Sequence, residues 1–342
     1  MKRILVPIFS LILAVAHAAA PTPTLHIFTW ADYLQADLVK RFEKENHCKV
    51  KIDTFDSNES MFAKLKAGAS GYDLIFPSSY MIPLMADQGL LTKLDHAKIS
   101  NIKNITAEIL GKVHDKDMTY SVPYTIGYSI IGYRKDKIKD FKASWAMFDR
   151  TDLKKRSTLL NDMRETIGAA LRSLGYSINT RDEKQLAEAR DVVIRWKKNI
   201  AKFDNEGYKA GLDSGEFWLV HGYSGDLWQV AQTNKKVAMD IPKEGVTESC
   251  DVMVILKSAP QPELAYKMIN LILDGKASAA NMEEIGYVSP NTEGLKHVSA
   301  SFLKHPAMTI PAELKAKAEL IEDLGADIAK YTKVWDEIKA AP

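Results

Sequence analysis

The 342-residue chain is short of the features that mark many enzymes and many small exported domains. It has two cysteines, too few for a disulfide framework. It lacks a dominant charge: 46 Lys and Arg stand against 44 Asp and Glu. Setting aside Lys2 and Arg3 leaves 44 of each. With no basic stripe, nothing points to nucleic acid as a partner. After residue 20 no apolar run reaches the roughly 18–20 residues that span a bilayer. No G-x-x-x-x-G-K-[ST] and no H-E-x-x-H occur, and no G-x-G-x-x-G follows a strand pattern, which removes the usual nucleotide and zinc-protease signals. The eight histidines are scattered without metal-ligand spacing. The serine-hydrolase elbow G-x-S-x-G is also absent. Gly222-Tyr223-Ser224-Gly225 comes nearest, one residue short. No cofactor, metal or catalytic motif is therefore implied, and the chain reads as a non-enzyme.

What is present is an ordinary globular composition, 46% hydrophobic and 26% charged, with length for about two domains. Residues 1–18 read as a secretory signal peptide. Lys2 and Arg3 precede an apolar run from Ile4 to Ala16, and Ala16-His17-Ala18 offers a cleavage site. The expected compartment is the periplasm. Export permits a bridge between Cys48 and Cys250. Cys48 alternates with Val50 and Ile52 as in a half-buried strand, so a buried free thiol is an equal reading.

Strand and helix patterns alternate from Leu25 onward. LHIFTW (25–30), CKVKIDTF (48–55) and YDLIFPS (72–78) have strand character. Between them, Leu38, Val39 and Phe42 share one helical face, and Ser57 is placed to cap a helix that Gly68 stops. A β-α-β-α-β order predicts a mostly parallel sheet covered by helices. Further strands are expected at 126–134, 217–222, 236–242 and 250–256, and helices at 161–175, 262–275 and near the C-terminus. No sequence repeat or Pro/Gly-rich linker appears, so two lobes would be joined by more than one crossing of the chain.

Aromatic and acidic residues gather at the predicted strand ends. Trp30 and Tyr33 sit where the first strand gives way to a helix, and Ser78, Ser79 and Tyr80 follow the third strand. Asp162 and Glu165 open a helix, Asp251 begins a strand, and Tyr287 follows a glycine. Ligands of open α/β sheets bind at the carboxyl ends of strands. Aromatic faces hold methylenes and attract cations; carboxylates hold ammonium groups through charge-assisted hydrogen bonds. That combination suits an elongated aliphatic amine. Each piece has a plainer alternative. Asp162-x-x-Glu165 taken alone fits a capping box, Trp30 or Tyr80 alone fits a core, and Asp251 fits a solvated strand start.

FTWADYL (28–34), FDSNESMFAKLKAG (55–68), YDLIFPSSY (72–80), SVPYTIGYSIIGY (121–133), LLNDMRETIGAALRSLGYS (159–177), PKEG (242–245) and EIGYVSPN (284–291) together resemble the spermidine/putrescine-binding proteins. These are the periplasmic receptors of polyamine ABC transporters. The resemblance implies an α/β, two-lobed periplasmic binding protein fold (type II) with the ligand cleft between the lobes. It places one lobe at 22–127 plus 251–295 and the other at 128–250 plus 296–342. It implies a monomer that captures putrescine or spermidine and delivers it to an inner-membrane ABC permease. A different cationic solute, or an exported sensor or enzyme on the same scaffold, is the alternative.

Carried over, the aromatic and serine ligands are Trp30, Tyr33, Ser78, Tyr80 and Tyr287, and the carboxylates are Asp162, Glu165 and Asp251. Asp32 lies beside the aromatic pair. Two tryptophans of the family appear as His221 and Ser249, a glutamine as Ile321 and a hydroxyl residue as Ala31. Losing two indoles would cost about 0.5–2 kcal/mol each in cation–π attraction. Tyr223, Trp228 or Glu248 are placed to compensate. If His221 faces the site, its protonation near pH 6.5 would weaken binding of a cation; a buried histidine would have no such effect.

Overall fold

The computed structural model describes residues 21–342; the expected signal peptide lies outside the described residues. Ten strands of the described residues form one mixed sheet. They are β1 (Thr24–Thr29), β2 (Lys49–Thr54), β3 (Leu74–Ile75), β4 (Ser121–Arg134), β5 (Ser157–Leu159), β6 (Lys202–Phe203), β7 (Leu219–Tyr223), β8 (Val237–Asp240), β9 (Val246–Ile255) and β10 (Ala318–Leu320). The order is β2-β1-β3-β9-β4-β7-β5-β6, with β10 beside β9 and β8 beside β4.

The expectation of a mostly parallel sheet needs correction. β1 pairs in parallel with β2 and β3, and β5 with β6 and β7. The long strands β4 and β9 are antiparallel to each other, to β3 and to β7. The reason is topological. The chain leaves one lobe along β4 and returns along β9, so the two crossings run in opposite directions. Their pairing extends from Ser121 opposite Val254 to Ser129 opposite Thr247, with a register shift between Pro123 and Thr125. Pro123 has no N–H to give the ladder, which accounts for an irregularity there.

Two hydrophobic cores flank these crossings, as a two-lobed α/β fold requires. One is built from β1, β3, the first half of β4, the second half of β9 and the helix Pro262–Ile272. The other is built from β7 and the helices Met163–Ser173, Glu183–Lys197 and Ile328–Ala340, around Trp145 and Trp196. Ala279 and Met282 pack into this second core, and Ile178 and Ile321 into the first. Cys48 and Cys250 are both buried free thiols. No helix among the described residues is long and apolar enough to cross a membrane.

Local signals fix the elements that face the cleft. Ser57 caps the helix Asn58–Lys66, its Oγ accepting from the Ser60 N–H at 3.2 Å. Asp162 caps Met163–Ser173, its Oδ1 accepting from the Glu165 N–H at 3.0 Å. The capping reading of Asp162 thus holds, and the residue lines the cavity as well.

Candidate functional site

The carboxyl ends of β1, β3, β5 and β7 open onto one cavity of about 270 Å³ between the lobes. The β1 end delivers Trp30, Asp32 and Tyr33, and the β3 end delivers Ser78 and Tyr80. From the second lobe come Asp162 and Glu165 after β5, Tyr223 at the end of β7 and Asp226 just beyond it. Asp251, Ser249 and Tyr287 complete the wall near the crossings. Ala31 and Ile321 also line it.

Asp251 is held by hydroxyls. Ser78 Oγ donates to Oδ1 at 2.6 Å and Tyr33 OH to Oδ2 at 2.7 Å. Burial raises its carboxyl to about 6, against the pull of those two donors. Asn58 ties the same corner together. Its amide donates to Ser78 Oγ at 3.1 Å and to Tyr80 OH at 3.0 Å, while its Oδ1 accepts from the Ser78 N–H at 3.0 Å.

Glu165 sits in a different setting. It is 4% exposed, and its Oε2 has no hydrogen-bond partner among the described residues. Burial, then the charge of Asp162, raises its carboxyl to about 8. Asp162 is raised by burial as well. Glu59 joins this group: desolvation and the Asp162 charge raise its carboxyl, while Tyr80 opposes the shift. A buried guanidinium, Arg164, lies behind Tyr80 at 6.0 Å from the ring centroid and bonds to Asn179 Oδ1 at 2.7 Å.

The rings form an ordered wall. Trp30 Nε1 donates to the Phe76 carbonyl at 2.9 Å, and its ring meets Phe55 edge-on at 4.4 Å. Tyr33 and Tyr287 meet edge-to-face at 5.2 Å. A Cβ at position 225 would stand 2.0 Å from Cε2 of Tyr287. The glycine that looked like part of a failed hydrolase elbow is there to admit this ring.

Two expected residues are not brought to the cavity. His221 is fully buried and meets Trp145 edge-on at 5.0 Å in the second core. Burial lowers it to about 3, so it stays neutral over the physiological range and the pH effect tied to it is not expected. Tyr223, two residues further along β7, reaches the cavity instead. Ser79 is buried beside Ser78 but does not line the cavity. Of the other compensating residues, Trp228 packs on Phe302 and His305, and Glu248 pairs with Lys112 at 3.3 Å in a separate cavity. Sequence reasoning missed Asn58, Glu59, Lys209 and Asp226. Only Asn58 and Glu59 lay inside a stretch already singled out.

Residues 37–310 match the family model for bacterial extracellular solute-binding proteins. The chain belongs to that family. A putrescine/cadaverine-binding protein of Pseudomonas aeruginosa is 33% identical over 99% of both chains. A spermidine/putrescine-binding periplasmic protein of Salmonella typhimurium is 33% identical over 96% of this chain and 94% of that one. Among solved structures, a spermidine/putrescine ABC transporter substrate-binding protein of Streptococcus pneumoniae superposes with a TM-score of 0.79 at 30% identity, covering 93% of this chain and 99% of that one. A lipoprotein of Treponema pallidum gives 0.82 at 33%, covering 92% and 99%. A binding protein in complex with agropinic acid shares the fold at 20% identity, with a TM-score of 0.72. The same fold therefore carries chemically different ligands, and the ligand must be argued from the site.

Proposed function

We propose that the protein captures a small aliphatic polyamine, putrescine or spermidine, in the periplasm and hands it, as a monomer and without catalysis, to an inner-membrane ABC permease. The observation that carries this reading is the convergence of Asp162, Glu165 and Asp251 in one cavity with Trp30, Tyr33, Tyr80 and Tyr287. The carboxylates take the ammonium groups through charge-assisted hydrogen bonds. The rings cover the methylenes and add cation–π attraction. Ser78 and Tyr33 aim Asp251, and Ser249 and Asp32 complete the polar lining. Export rests on residues 1–18 acting as a signal peptide.

The lobes in this reading are 22–127 plus 251–295 and 128–250 plus 296–342, closing about β4 and β9. Bound amine favours the closed state because both lobes then contact it. The pairing of Asn205 Nδ2 with the Asp56 carbonyl at 3.0 Å supports a closed arrangement of the cleft rim.

The test is a thermal-shift panel of putrescine, cadaverine, spermidine, basic amino acids and neutral sugars, followed by calorimetry. Putrescine or spermidine is expected to raise the melting temperature, with a stabilisation that grows as the logarithm of one plus concentration over Kd. Stabilisation by a sugar or amino acid, with the amines inert, would overturn the reading.

A further inference from the structure

Among the described residues lining the cavity, Lys209 is the one cation, set against seven Asp and Glu. It stands in the helix Tyr208–Ser214 of the second lobe. Its Nζ donates to Asp32 Oδ2 of the first lobe at 2.8 Å and to Gln229 Oε1 at 3.3 Å. Asp226 Oδ1 lies 3.5 Å away. The other oxygen of Asp226 accepts from Tyr208 OH at 2.7 Å. Burial would push the lysine down, but the charges of Asp226 and Asp32 outweigh it and hold the ammonium protonated.

Lys209 balances the charge of the partly buried Asp226, a structural role that the melting curves report. Asp32 is 68% exposed, and an ion pair with so open a partner adds little stability. The effect on a ligand is larger. Asp32 and Asp226 already share one fixed cation, whereas the Glu165 Oε2 is unpartnered among the described residues. Two ammonium groups therefore find free acids at Asp251 and at Asp162 with Glu165. A third, extending toward Asp226, meets a like charge held in place.

We propose that Lys209 is a resident ammonium that determines ligand length, occupying the Asp32–Asp226 pair and selecting aliphatic diamines over triamines. This rests on the polyamine reading above. The experiment is calorimetry of putrescine and spermidine on the full chain, in wild type, Lys209→Met, Lys209→Gln and Lys209→Arg, with each melting curve recorded. In the Met and Gln variants the spermidine-to-putrescine affinity ratio rises about tenfold or more, the size of one charge-assisted hydrogen bond; Lys209→Arg keeps the wild-type ratio. If one neutral variant fails to fold, the other carries the test. Amine binding by every protein with an unchanged ratio overturns the role of Lys209 and leaves the polyamine reading standing. No amine binding by any of the four overturns both.

Discussion

The two acid groups of the cleft solve the same problem in opposite ways. Asp251 is buried, yet both its oxygens accept hydroxyl protons from Ser78 and Tyr33, and its carboxyl rises only to about 6. Glu165 is equally buried, but it faces the charge of Asp162 with one oxygen unpartnered, and it rises to about 8. Near neutral pH this favours the ionised form of the first and the protonated form of the second. One corner is a preformed anion; the other becomes an anion when a cation arrives. Hydrogen bonds to the charged form fix the first state, and desolvation with a like charge fixes the second.

The widest test of this contrast is mutation at the ionised corner. Asp251→Asn removes a standing charge and should weaken amine binding by about a hundredfold, on the scale of a buried charge pair. Glu165→Gln removes a group already mostly neutral at pH 7, so the loss should be smaller, about tenfold. Calorimetry of both variants with the same amine checks the order. A greater loss in the Gln variant would invert the assignment of the two corners.

Proton linkage sharpens it further. Both carboxyls are raised in the folded state, so their protonated forms stabilise the fold and that contribution is lost as pH rises. From their ordinary values near 4, through about 6 for Asp251 and about 8 for Glu165, the ligand-free protein should lose stability. Melting temperature should fall by a few degrees between about pH 5 and pH 8.5. Saturating amine should flatten this slope, and binding should release protons, seen as heats that depend on the buffer.

The smallest effect is expected at His221. It is neutral and walled off by Trp145, so His221→Gln should leave the pH dependence of amine affinity unchanged, whatever it does to stability. A changed profile would mean that the imidazole, not the carboxyls, contributes to the linkage.

Much of the cleft was legible in the chain because strand ends are local events. Trp30 and Tyr33 follow an apolar run, Tyr80 follows Pro77, and Asp162 caps a helix by its own side chain. His221 misled for a physical reason: it and Tyr223 lie two residues apart on one strand, and only the depth at which β7 ends decides which one clears the core. Lys209 and Asp32 are 177 residues apart; Asp32 lies in the FTWADYL segment, but no motif marks Lys209.

By itself the order of residues determined an α/β fold, the caps and strand ends that carry the rings, and enough short segments to recognise the family. Those follow from periodicity and from side chains bonding to their own neighbourhood. Tertiary structure alone decided which carboxylates share a cavity, which is held ionised and which neutral, and that a lysine stands among them. Charge state depends on burial and on partners brought from distant segments, and neither quantity exists until the lobes meet.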